Sequence, residues 1–264
     1  MLISAWNLIR ASWDLYKKNV WLLIGYAFFM LFVATIVSII IIVPFNFILL
    51  KLIIIVLPTT FSTTVFAYIA VVLINSAIWT YVNVPFFAIL IRIIAKIYNG
   101  QTIQNFKTEI KEFLPALLPT AFVIILAGVA TIAGLLLFII PGILLLVWFV
   151  FALHAVVIDG QRGINALRVS KNLVAGRWWM VVWRLVVPVI LASIISGVIH
   201  KSLQSFPHTT NIDLGRTSIY AIVSFLLTLF LMSTQTILYL ELKKRPLTLA
   251  EPEPSAGTPA EPPV

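Results

Sequence analysis

Apolar positions fall in long unbroken runs parted by short polar stretches, and this alternation predicts the elements. From Phe113 to Ile158 the chain runs 46 residues without an Asp, Glu, Lys or Arg, with Pro141-Gly142 as punctuation near the middle. A spanning helix needs about 20 apolar residues, so the stretch reads as a membrane hairpin turning tightly at Pro141-Gly142. Runs of the same kind predict six spans in all, near 20–43, 66–91, 116–140, 142–158, 178–199 and 217–240. The fourth is short for a span. Between the first two, residues 45–57 form a further apolar run, too short to cross, that lengthens a kinked first helix, re-enters or lies in the interface.

Three segments alternate at helical spacing instead. In 2–18, Leu2, Trp6, Ile9, Trp13 and Tyr16 share one face, with Asn7, Arg10, Asp14 and Lys17 opposite. Within 103–114 the stripe is Ile103, Phe106, Ile110 and Phe113. Within 162–175, Ile164, Ala166, Leu167, Val169, Leu173 and Val174 face away from Asn165, Arg168, Lys171 and Asn172. Each precedes a pair of spans, which predicts three units of surface helix plus hairpin. Ser12, Leu15 and Trp21 share their spacing with Ser170, Leu173 and Trp179, a faint sign of internal repetition. The predicted fold class is thus all-α, a polytopic helix bundle with amphipathic surface helices. Residues 1–245 form the membrane domain, and 246–264, rich in Pro and Glu, a disordered tail.

Composition agrees with lipid as the solvent: 61% hydrophobic, 10% charged, mean hydropathy +1.09. Charge changes the picture more, through its placement. Of the eighteen Lys and Arg residues, only Lys51, Lys201 and Arg216 fall in connections on the far side of the predicted spans. The positive-inside rule then puts both termini in the cytoplasm of a bacterial inner membrane. The same cations attract anionic lipid headgroups. A net charge of +9 without a soluble module carrying interleaved aromatics does not read as nucleic-acid binding. The chain has no Cys, which removes disulfides and thiolate chemistry.

Candidate chemistry is sparse. No phosphate-binding glycine loop, zinc-protease helix or nucleophile elbow occurs, and no catalytic, cofactor or metal residues are predicted. His154 reads as a structural histidine, and Asn75, Thr80 and Asn83 as interhelical hydrogen-bonding groups or a path lining. Ala130-xxx-Gly134 and Ser193-xxx-Gly197 offer close-approach faces. The candidate lipid or partner contacts are Arg168, Lys171, Arg177, Arg184, Trp178 and Trp179, basic and aromatic side chains at the entrance to the fifth span.

The run from Pro141-Gly142 through Asp159-Gly160 to Ala166, Ser170, Leu173, Gly176, Trp178 and Trp179 resembles the membrane-domain family attached to some glycerophosphoryl diester phosphodiesterases. It is also similar to uncharacterised bacterial membrane proteins of the YciC-like type. The likeness covers about residues 90–190 and implies a multi-pass helical domain. It does not imply the phosphodiesterase activity, which in that family belongs to a separate soluble barrel absent from this chain. Three functions are open at this point. The first is a non-enzymatic protein organising membrane lipid or a partner protein at the cytoplasmic face. The second is a transporter or lipid-handling permease, which would need Asn83, Arg92, His154 and Arg184 to converge. The third is a membrane-bound lipid-metabolism enzyme built around Asp159, His154 and a basic group.

Overall fold

The computed structural model describes residues 3–56, 61–103, 106–205 and 210–245. The expected disordered tail, 246–264, lies outside the described residues, as do 206–209. Among the described residues there are helices and no strands.

Helix α1 (Ala5–Lys18) begins where the Ser4 hydroxyl accepts from the Asn7 N–H at 3.1 Å, and it ends in Lys17 and Lys18, whose charge suits the carbonyl end of a helix. It buries Leu8, Ser12, Leu15 and Tyr16 against the helices that follow. This corrects the face expected from the sequence. Of the stripe read as apolar, Tyr16 is buried and Ile9 half-buried, whereas Trp6 is exposed and Trp13 half-exposed at the edge of the contact with Phe230 of α10.

Helices α2 (Val20–Val56) and α3 (Phe61–Tyr98) have 37 and 38 residues. At 1.5 Å per residue each is about 55 Å long, well beyond a hydrocarbon core of about 30 Å. The apolar run after Pro44 therefore continues α2, with Pro44 inside the helix. Asn46 and Asn75 exchange amide hydrogen bonds at 2.8 and 2.7 Å and tie the pair together among apolar neighbours.

Helix α4 (Phe106–Phe113) runs through a 3-10 turn at Leu114–Ala116 into α5 (Leu117–Leu137). The segment expected as a second surface helix is thus the approach to a span. After α5 the chain turns at Phe138, whose φ of −157° and ψ of 142° are extended, and α6 (Ile139–Phe149) starts at once. Pro141-Gly142 is not the turn but the first turn of α6, where a Pro lacks no helical partner. Gly142 has a different task. A Cβ there would stand 2.7 Å from the Leu135 Cα, so α5 and α6 touch backbone to backbone.

Helix α7 (Ala152–Asp159) continues the direction of α6 after a break and stops at Gly160, which takes the left-handed conformation at φ 66°. Helix α8 (Ile164–Val174) packs on α6 and α7, α9 (Trp178–Gln204) returns, and α10 (Thr210–Lys244) closes the bundle against α1, α3 and α9. Four helical segments among the described residues are long and apolar enough to cross a membrane: Lys107–Leu137, Ile139–Asp159, Trp178–Gln204 and Gly215–Lys244. The chain is a membrane protein by these dimensions. Six spans are expected from the sequence; within α2, Val20–Phe29 and Ser38–Ile48 are shorter apolar stretches.

Burial is concentrated at one end. Leu8 of α1, Leu23 near the start of α2, Ile93 and Ile94 toward the finish of α3, Phe151 at the break before α7, Val174 at the end of α8, Val181 near the start of α9, and Ile237 and Leu242 toward the finish of α10 are all buried. At the other end the α5–α6 tip exposes five consecutive apolar residues, Leu136 to Ile140, each above 70%.

Candidate functional site: a clamped basic end

The buried end is also the basic one, and four of its acidic groups, Glu109, Glu112, Asp159 and Glu241, are paired in contacts that hold helices together, while Asp14 of α1 is exposed. Asp159, last residue of α7, accepts from the Tyr239 hydroxyl at 2.7 Å and pairs with the Lys243 ammonium at 2.6 Å, both on α10. Glu241 accepts from the Tyr98 hydroxyl of α3 at 3.0 Å and from Lys244 at 2.9 Å. The Lys244 ammonium lies 4.8 Å from the Tyr98 ring centre. Glu109 of α4 is fully buried, with Lys96 at 2.5 Å and the Arg92 guanidinium at 3.5 Å, and Glu112 binds Arg92 as well. This clasp seats α4 on the end of α3.

Arg177 corrects an expectation. Predicted as a headgroup contact, it is turned inward and 5% exposed, donating to the Leu173, Leu242 and Arg245 carbonyls at 2.8, 3.2 and 2.7 Å. The last carbonyls of a helix have no partner within it, and Arg177 supplies one for α10 from outside. Burial lowers its pKa, though a guanidinium stays charged in proteins. Arg184 likewise donates to the Ile3 carbonyl at 2.5 Å and to Met180 at 2.6 Å, pinning the segment before α1 onto α9.

Ser170 carries a role that its spacing did not reveal. Its hydroxyl accepts from the Phe151 N–H at 3.1 Å and donates to the Trp148 carbonyl at 2.6 Å. One buried oxygen thus serves both backbone groups freed by the break between α6 and α7. Ala166 beside it is fully buried, Leu173 partly so, and Gly176 adopts φ 78° in the link to α9. Ser12 and Ser170 are both fully buried, and Trp21 and Trp179, in the first turn of the following helix, are both exposed, so the two echoed segments sit in like surroundings.

Exposed cations remain around these ties. Arg10, Lys17 and Lys18 project from α1 and Arg168 and Lys171 from α8. Lys17 stands 5.5 Å from the Trp13 ring and Lys171 4.6 Å from the Trp148 ring. Trp6, Trp21, Trp179 and Trp183 are also exposed, and Trp178 stacks on Trp179 with centroids 5.6 Å apart. Long cationic arms over flat indoles, at helix ends, form a surface that can hold anionic oxygen groups while the rings sit among headgroups.

His154 is buried between Phe151 and Tyr239, with ring centroids 5.8 and 5.5 Å away, and 3.4 Å from the Thr236 hydroxyl. It reaches Asp159 only through Tyr239. Arg92, His154 and Arg184 are each committed to different neighbours and do not meet. Among the described residues no group of three or more His, Cys, Asp or Glu is placed to hold a metal ion. The ties made by Tyr98, Glu109, Tyr239 and Lys243 escaped the sequence reading. The available signal was Arg92 and Lys96 four apart and Glu109 and Glu112 three apart, two helix faces of opposite charge separated by a short link.

Residues 107–242 match the family model described as Domain of unknown function (DUF7847). No curated protein and no solved structure matches the chain.

Proposed function

The chain belongs to the DUF7847 family, and on that premise we propose a non-catalytic, multi-pass protein of the inner membrane that organises anionic lipid, or a partner protein, at its basic end. In this reading α2 and α3 complete a set of six spans, α1 and α8 are surface helices, and both ends of residues 1–245 face the cytoplasm, followed by the tail 246–264. The resemblance of the 141–179 block to the phosphodiesterase-associated and YciC-like membrane domains belongs to the same proposal. One observation carries it. Glu109, Glu112, Asp159 and Glu241 are all paired with Lys or Arg, while Arg10, Lys17, Lys18, Arg168 and Lys171 stay exposed, Lys17 and Lys171 of them over tryptophan rings. Near an anionic membrane each such cation contributes about 1 kcal/mol.

The permease reading needs Asn83, Arg92, His154 and Arg184 around one cavity. Asn83 lies about 13 Å along α3 from Arg92, and the others bond to separate partners. The enzyme reading needs Asp159, His154 and a basic group around one pocket; Asp159 pairs with Lys243 and Tyr239, while His154 lies against Thr236.

Native mass spectrometry of protein extracted from bilayers of phosphatidylglycerol and phosphatidylethanolamine tests the proposal. The wild type is expected to retain phosphatidylglycerol selectively, and the variant Lys17→Gln/Lys18→Gln/Arg168→Gln/Lys171→Gln to lose that selectivity. Arg177 and Arg184 are left intact because they bind backbone carbonyls. Unselective retention by both proteins, with no co-purifying chain, would sink the idea.

A further inference from the structure

Between α9 and α10, at the end opposite the basic one, lies an open groove of about 420 Å³. Its inner stretch is mainly apolar, with Val189, Ala192, Leu227 and Leu231 beside Thr228, whose hydroxyl donates to the Ser224 carbonyl at 2.8 Å. Toward the mouth the lining changes to Ser193, Ser196, His200, Tyr220 and Ser224, with Gly197 between them. Eleven residues separate Val189 from His200 and Tyr220 from Leu231, so each wall runs about 16 Å along its helix. Both walls belong to segments long and apolar enough to cross a membrane. The groove therefore opens sideways into one leaflet, polar at the surface and apolar within.

Hydroxyls and an imidazole at this depth are costly unless hydrogen-bonded. Within the chain they are unevenly served. A His200 ring nitrogen meets the Gln204 amide at 2.9 Å and the ring sits edge-on to Tyr220 with centroids 5.1 Å apart, whereas the Ser196 hydroxyl is 3.4 Å from the Tyr220 hydroxyl and the buried Ser224 hydroxyl has no hydrogen-bond partner among the described residues. The contrast is a second groove, beside α5, α6 and α7, where the one hydroxyl, that of Thr131, is satisfied by the Ala127 carbonyl at 2.8 Å.

We propose that the α9–α10 groove is a binding site for one glycerolipid, held by its ester region with an acyl chain along the apolar stretch. Ester carbonyls and phosphate oxygens only accept hydrogen bonds, and serine, tyrosine and an imidazole N–H can donate. The order of the lining, donors at the surface and aliphatic side chains below, is that of a lipid in the same leaflet. No Lys or Arg lines the groove, so recognition rests on the ester region and not on headgroup charge. The site is independent of the basic end and of the function proposed for it.

The test uses the full chain in nanodiscs containing a phosphatidylcholine with a diazirine near the start of one acyl chain. After illumination, adducts are mapped by mass spectrometry. They are expected on 189–200 and 220–231 at several-fold the density on the lipid-facing stripe of Phe122, Ile125, Val129 and Ile132. A Cβ on Gly197, which lines the groove, meets nothing within 4 Å, so the side chain of Gly197→Leu starts in open space, and it should bring adducts there down to the level of the α5 stripe. Ser193→Ala/Ser196→Ala/Tyr220→Phe keeps the shape, removes donors and should lower them as well. Equal labelling of groove and stripe, or labelling untouched by both variants, overturns the proposal. So does efficient oxidative cross-linking of Gly197→Cys between chains, which would make a second copy the occupant; the wild-type chain has no Cys to confuse that result.

Discussion

Two glycines of one helical hairpin show how differently a single added methyl is met. At Gly142 a Cβ would collide with the Leu135 backbone and side chain, whereas at Gly128 it would meet nothing within 4 Å. Gly142→Ala is therefore expected to lower the unfolding midpoint in detergent by forcing α5 and α6 apart. Gly128→Ala should leave it unchanged or raise it, since alanine favours helix by up to about 1 kcal/mol. Equal effects at both sites would remove the close-approach argument. Ser170 acts through a hydroxyl rather than through its size. Ser170→Ala preserves the packing and strands the Phe151 N–H, at an expected cost of about 1–3 kcal/mol in unfolding free energy. A neutral result would mean that the break between α6 and α7 is stable without it.

At the scale of elements, contacts at helix ends decide how the helices are gathered. Glu109 is buried between Lys96 and Arg92, so removing Lys96 leaves a buried carboxylate with Arg92, at 3.5 Å, as its remaining cation. Lys96→Met or Glu109→Gln alone should each destabilise the protein, by about 3–5 kcal/mol for a fully buried pair and less here because Lys96 is 17% exposed. The double variant should recover part of the loss, and additive losses in a double-mutant cycle would show that α4 is seated by packing alone. Arg177 performs the corresponding service for α10, with one fork reaching carbonyls on two helices. A lysine ammonium cannot reproduce that planar geometry, so Arg177→Lys should destabilise nearly as much as Arg177→Met. Hydrogen exchange of Leu242 to Arg245 would report the fraying directly.

For the molecule as a whole, burial and positive charge are gathered at one end, while the α5–α6 tip at the other is exposed. That asymmetry sets up an orientation test in a cysteine-free chain. Single cysteines at Asn99, Asn172 and Lys201, all exposed, can be probed with an impermeant maleimide on intact cells. Lys201→Cys is expected to label, and Asn99→Cys and Asn172→Cys only after permeabilisation. Labelling of Asn99→Cys and Asn172→Cys in intact cells would invert the proposed topology. Labelling of just one of the two would place an odd number of crossings between them.

The helical class and the membrane as solvent were legible in the sequence because both follow from local composition: runs of apolar residues in lipid must satisfy their backbone bonds within themselves. The concentration of Lys and Arg at one set of helix ends was legible for the same reason. Tertiary structure alone decided which face of α1 is buried, because Leu8 and Leu15 meet a partner surface and Trp6 does not. It also decided that the turn falls at Phe138, that Ser170 mends a break with no Pro or Gly to announce it, and that Arg177 serves a helix end through a carbonyl 68 residues away. Each of these depends on groups distant in sequence arriving within 3 Å or so of one another, and periodicity along a chain records faces, not the neighbours that will cover them.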